Sequence, residues 1–223
     1  KGSAVSRWRE DGTRDHWGSF CYVCDVDSGD VWSTTYQPTL VQPRSYEAVF
    51  AESRAEFRRH DRGIDLYTEV VVSPEDDIEM RRTRVTNNST SRRTLELTSY
   101  PEVVMAPHAA DASHPALSKL LAQTEILEGE HAILCERRPR RVDEPVPVML
   151  HLAKMHDSTA QQVSFETSRA VFLGRGNDAT MPHAMRSSGP LQGTSGAVLD
   201  PVVAIRCRLV LEAGESATLD YVT

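Results

Sequence analysis

SFCYVCDVDSGDVWSTTY, residues 19–36, decides between a metal-binding chain and a β-protein. The two runs SFCYVCDV and VWSTTY alternate in the manner of strands, and they flank DSGD, where Ser28-Gly29 predicts a tight hairpin turn. Within the first run, CYVC (21–24) has the spacing of a metal or redox pair. Residues three apart on a strand point to opposite faces, so Cys21 and Cys24 are poorly placed to share an ion. Cys135 and Cys207 stand alone in the sequence, so there is no second CxxC. The strand reading wins; neither a metal site nor a cofactor is expected, and the thiols are expected to be reduced, as in a cytosolic setting.

Outward from that hairpin the period-two pattern continues. YEAVFAES, RAEFRRHD and IDLYTEVVVS follow, with Gly63 and Ser73-Pro74 as breaks. IEMRRTRVT and RTLELTSYPEVVM come next, joined by the turn-forming NNSTSR. Later strands are expected in EILEG, HAILCERR, VPVMLHLAKM, QVSFETS, VVAIRCRLVL and ATLDYVT. RAVFLG is also read as a strand, with GRGND (174–178) as the turn leaving it. Helix is expected only in SHPALSKLLA, capped by Ser113 and striped by Ala116, Leu117, Leu120 and Leu121, and in a short turn at MPHAMRS. Many strands joined by short loops predict an all-β, antiparallel two-sheet sandwich around one core, with one or two short helices.

Length and charge bound the function. The 223 residues suit a single domain, 1–223, and the formal net charge of −7 argues against nucleic acid as a partner. The basic clusters RRHDR (58–62), RRTR (81–84) and RRPRR (137–141) stand beside acids and read as solvated sheet faces and loop tips. No apolar run approaches the roughly 20 residues of a membrane span, so no direct membrane insertion is expected of this segment.

Catalytic signals are weak, and no catalytic residue is assigned. His108 and His114 share a loop with Asp111, and His151 lies in an apolar strand. Such groups suit proton transfer in sugar-ring opening, but a loop pair plus a half-buried histidine is the simpler reading. GRGND lacks the strand and helix of a phosphate cradle. The densest mixture is RWREDGTRDHWGSF (7–20). Trp8 and Trp17 offer flat apolar faces, while Arg9, Arg14 and Asp15 offer hydrogen bonds. DGTRDHWG is read as a loop ahead of a strand beginning near Ser19. The surface is expected to dock on a neighbouring domain, with sugar contact and internal packing as the alternatives.

The segment AVSRWREDGTRDHWGSFCYVCDVDSGDVWSTTYQP resembles the start of the supersandwich domain shared by family 94 glycoside phosphorylases and cyclic β-1,2-glucan synthases. Arg7-Trp8, Asp15, Gly18, Tyr22, Asp25, Gly29 and VWS (31–33) occupy the positions of that pattern. TEVVVSPEDDIEMRRTRVTN, ELTSYPEVVMAPHAADASHPALSKL, FLGRGND and GAVLDPVVAIR extend it over nearly the whole chain. The resemblance implies a large β-supersandwich of the galactose mutarotase-like type, a piece of a much longer multidomain chain. It implies a non-catalytic, carbohydrate-associated module beside glycosyltransferase and glycoside phosphorylase-like regions. Its partners would be those catalytic domains and β-1,2-glucan, on the cytoplasmic side of a bacterial inner membrane. The rival is a stand-alone mutarotase- or epimerase-like sugar enzyme using His and Glu on a concave sheet face. It requires His108, His114 or His151 to meet a glutamate in one pocket.

Overall fold

A computed structural model describes residues 3–13, 16–139, 141–142, 146–156, 160–187 and 189–223. The strands are β1 (Ala4–Ser6), β2 (Ser19–Asp25), β3 (Val31–Ser33), β4 (Ser45–Ala51), β5 (Arg54–Asp61), β6 (Ile64–Val72), β7 (Glu79–Asn87), β8 (Arg93–Pro101) and β9 (Val103–Ala106). They continue with β10 (Ala122–Leu127), β11 (Ala132–Arg137), β12 (Val148–Met155), β13 (Ala160–Ser168), β14 (Pro201–Leu211) and β15 (Ser216–Val222). An eight-stranded sheet runs β10-β11-β12-β15-β7-β6-β5-β4, and a five-stranded sheet runs β13-β14-β8-β2-β3. β1 and β9 form a small separate pair, and the paired strands are antiparallel throughout.

The turns follow from residues that tolerate them. Asp25 N–H donates to Asp30 O at 2.9 Å, and Gly29, at φ 74°, donates back to Asp25 O at 2.8 Å. The Asp25 carboxylate accepts from the backbone of Asp27 and Ser28 and is ion-paired with Arg93, so the predicted β2–β3 turn is locked by a buried acid. Between β5 and β6, Arg62 (φ 50°) and Gly63 (φ 81°) make the two-residue turn that matches strand twist. At the far edge, β4 exposes all seven of its residues.

The sheets enclose one core and the small sheet supports another. Cys21 and Val23 of β2, Leu95 and Leu97 of β8, and Ile205, Cys207 and Leu209 of β14 meet Ile64, Leu66, Val85, Ile133 and Leu219 of the large sheet. The opposite face of the small sheet turns Tyr22, Cys24, Tyr100, Val202 and Ala204 into a second cluster with Phe172, Leu173 and Met185. The expectation of a single core is therefore corrected. Cys21 and Cys24 fall into different clusters, as their strand spacing requires. Burial pushes the Cys21, Cys135 and Cys207 thiols up to about 12 and Cys24 to about 11, which suppresses the thiolate.

Three further expectations are corrected. RAVFL is not a strand but helix α3 (Arg169–Leu173), whose N-cap Ser168 accepts from Val171 N–H at 3.4 Å. Gly174, at φ 75°, ends it, with His183 so close that a Cβ would stand 2.6 Å from its Cβ. The helix expected in SHPALSKLLA is present as α2 (Pro115–Leu120), but Ser113 ends a preceding helix, α1 (His108–Ser113), rather than capping it. The Ser113 hydroxyl donates back to Ala109 O instead of capping, while Leu117 and Leu120 face outward and Ser118 is buried. Arg59 and Arg137 are not solvated either. Arg59 lies on the inner face and donates to Asp61, Thr35 O and Val41 O; Arg137 donates to Ser118 O.

His151 is fully buried rather than half-buried. It bridges the sheets, with Nε2 2.9 Å from Ser99 Oγ, Nδ1 2.8 Å from Thr223 Oγ1, and its ring stacked on Tyr221. Burial, with Arg81 nearby, lowers its pKa from 6.5 to about 3, so it is neutral in the fold. The unfolded chain takes up that proton below 6.5, so the stabilisation is complete above that pH and is lost as pH falls toward 3. The expected slope approaches ~1.4 kcal/mol per pH unit from this residue alone. Urea unfolding of the chain and of His151→Gln across this range checks it; equal slopes would contradict it.

Candidate functional site

The opening stretch is positioned by a buried arginine. β1 pairs with β9 through Ala4↔Ala106 and Ser6↔Val103, which brings Arg7 to the end of the sandwich. Arg7 is 2% exposed. Its Nη1 lies 2.7 Å from Glu102 Oε2, its Nε 3.3 Å from Asp111 Oδ2, and Nη1 3.7 Å from Asp200 Oδ1. Arg169 reaches Glu102 at 2.6 Å and Asp200 at 3.7 Å, and Lys119 reaches Asp200 at 2.6 Å. Three cations thus face three carboxylates, and the Tyr100 hydroxyl donates to Glu102 at 3.0 Å. Burial alone would raise the Glu102 carboxyl, but Arg169, Arg7 and Tyr100 outweigh it and hold the group below its usual value. Arg7 moves upward because Asp111, Glu102 and Asp200 outweigh its own desolvation. The network binds the N-terminal segment, α1, α2 and α3 to the same corner.

With Arg7 held inside, Trp8 is turned outward, 56% exposed, with its ring centroid 6.5 Å from that of His108. Arg9 is exposed and reaches forward, placing its guanidinium carbon 5.2 Å from the Trp17 ring centroid. Trp17 is half-buried and packs on His16 at 5.1 Å. β2 begins at Ser19, after Gly18 at φ 132°, so His16 and Trp17 lie in a loop as expected. Arg14 and Asp15 lie outside the described residues. Beside the loop, Asp11, Thr13, His16, Gln37, Leu40, Asp178 and Thr180 line a cavity of about 380 Å³.

The histidines do not form the rival arrangement. His108 sits beside Trp8, His114 precedes α2, and His151 is in the core. Among the described residues, none of the three is hydrogen-bonded or ion-paired to a glutamate. A buried, neutral His151 has no route to a substrate proton. Sequence reasoning missed the pairing of Arg7 with Glu102, Asp111 and Asp200, which are distant from it in the chain. The available signal was Arg7 directly before a tryptophan in the motif Arg7-Trp8.

These features define a class: a two-sheet supersandwich presenting an aromatic and arginine surface on a salt-bridged frame. The chain belongs to the glycosyl hydrolase 94 supersandwich domain family, whose model matches residues 1–223. It is 32% identical over 222 residues to the cyclic beta-(1,2)-glucan synthase NdvB of Rhizobium meliloti (strain 1021), covering 100% of this chain and 8% of that protein. The N,N'-diacetylchitobiose phosphorylase of Vibrio furnissii is 25% identical over 213 residues, 95% of this chain and 26% of the enzyme. That of Vibrio proteolyticus is 24% identical, again over 26% of its length. The chain therefore spans a small part of these relatives.

Arg7→Ala strips a buried cation from facing carboxylates, a change that costs about 3–5 kcal/mol in comparable buried pairs. Arg9→Ala, at the surface, should stay within about 1 kcal/mol. Denaturant unfolding of both variants checks the contrast. Equal effects would mean that Arg7 does not anchor the segment.

Proposed function

We propose that the chain is one supersandwich domain of a longer, multidomain protein of the cyclic β-1,2-glucan synthase kind, and that it serves as a non-catalytic frame for neighbouring catalytic domains. The observation that carries this reading is the full-length match to a small fraction of the synthase, combined with an outward Trp8–Arg9–Trp17 surface on a buried anchor. Aromatic and arginine side chains are enriched at protein interfaces, the rings because they bury large area at small entropic cost and arginine because its planar fork makes several directed hydrogen bonds. Arg14 and Asp15, sequence neighbours of Trp17, are proposed to contribute hydrogen bonds to the same surface. Glucan contact by Trp17 is the second use of it, supported by the nature of an indole face beside hydrogen-bonding groups.

The placement of the parent follows the same reading: catalytic neighbours on the cytoplasmic side of a bacterial inner membrane, with this domain beside them. No helix among the described residues is long and apolar enough to cross a membrane. The supporting role needs a stiff body rather than a reactive group, and the balanced buried ion network suits that role.

Trp17→Ala and Trp8→Ala should change the stability of this chain by no more than about 1 kcal/mol, the scale of an exposed cation–π contact. Within the longer protein, the same changes should loosen this domain, read as faster protease release and lower polymer synthesis. A stability loss of several kcal/mol, as for truncating a buried tryptophan, would make Trp17 a core residue and end the docking reading. Weakened glucan binding without faster release would favour the sugar-contact use.

A further inference from the structure

The outward face of the large sheet carries two cross-strand rows that the docking surface does not use. Ser45, His60, Asp65 and Thr86 stand side by side on β4, β5, β6 and β7, and Glu47, Arg58, Tyr67 and Arg84 form the adjacent row. Both rows line one cavity of about 510 Å³, within the roughly 300–1,000 Å³ of small-molecule sites. With strands ~4.8 Å apart, each row extends about 14 Å across the sheet. On the other face of the same strands Leu66 and Val85 are packed in the core, so the platform is rigid.

Donors and acceptors alternate along this platform. Arg58 Nη1 donates to Glu47 at 2.7 Å and its Nη2 to Glu56 at 3.1 Å; its guanidinium carbon lies 5.6 Å from the Tyr67 ring centroid. His60 is bonded to Asp65. Arg84, cross-strand from Tyr67, is exposed and has no hydrogen-bond or ion-pair partner among the described residues. An anion calls for donors alone, and the carboxylates of Glu47, Glu56 and Asp65 oppose it. A hydroxyl both donates and accepts, which matches the mixture.

We infer that these two rows form a binding site for a neutral saccharide, with Arg84 donating its planar fork to a pair of neighbouring hydroxyls and Tyr67 offering ring surface. Glu47 and Asp65 accept from further hydroxyls, and Thr86 and Ser45 close the row at either end. The site shares no residue with the Trp8–Trp17 surface, so the domain would hold a protein neighbour on one side and a sugar on another. The saccharide class rests on this geometry; the choice of a β-1,2-linked probe rests on the proposed function.

The test is an amide NMR titration of the 223-residue chain with sophorose, cellobiose, N,N'-diacetylchitobiose and inorganic phosphate. At least one of the neutral disaccharides should shift resonances of β4–β7, and Arg84→Ala and Tyr67→Ala should each weaken that response roughly tenfold or more. Arg84→Lys should weaken it too, because it keeps the charge but loses the fork. All three variants should retain the parent melting temperature, since the side chains stand outside the core. Shifts from phosphate alone, no shift from any sugar, or sugar shifts confined to the Trp17 loop would each overturn the inference. Of the three, only sugar shifts at the Trp17 loop bear on the proposed docking surface, and protease release measures docking separately.

Discussion

The central strands of the five-stranded sheet have water on neither face, and much else in the molecule answers to that constraint. β14 shows it most plainly: Val203, Ile205, Cys207, Leu209 and Leu211 face the large sheet, while Val202 and Ala204 face away into a second apolar cluster. A sandwich of two sheets covers only one of those faces. The stretch from α3 to Leu191 supplies the other cover, with Phe172 packed on Tyr22 and Tyr100 and the Tyr22 hydroxyl donating to Ala179 O at 2.6 Å. Arg206 shows the same demand in polar form. It is buried on that outer face, donating to Ala184 O and Gly189 O while Glu96 lies 3.3 Å away. Each of its buried donors thus meets an acceptor, as burial requires.

Strand identity was legible in the sequence because the large sheet keeps one face in water. β6 alternates buried and half-buried positions from Ile64 to Thr68, and its hairpin with β5 is announced by Gly63. The helices were less legible. RAVFL holds only a four-residue apolar run after Arg169, and nothing periodic in so short a run separates a buried helix from a strand; Ser168 was the one local clue. Leu117 and Leu120 have helical spacing, yet spacing alone does not say which side of a helix the sandwich covers.

The candidate surface was legible in composition and illegible in geometry. Arg7 and Arg9 look alike two residues apart, yet one is buried among carboxylates and the other lies over an indole. What separates them is the β1–β9 pairing and the positions of Glu102, Asp111 and Asp200, contacts across about 100 to 200 residues of chain that no local reading supplies. The rows on the large sheet were hidden for a related reason. RRHDR and RRTR read as unremarkable basic clusters until register places Arg58 and Arg84 on either side of Tyr67.

The exposed β4 edge has a consequence for the material behaviour of the protein. Its seven residues include no proline and are paired on one side only, by β5, so the backbone groups pointing away from β5 meet no strand, and Tyr46 and Phe50 add aromatic rings beside Phe57. Such an edge is the geometry that lets sheets of separate molecules join end to end. Glu47 is the sole charge along it, and that charge is engaged by Arg58. In concentrated solution the net charge of −7 is then the main colloidal barrier, and added salt, by screening it, lowers the barrier to edge-to-edge association.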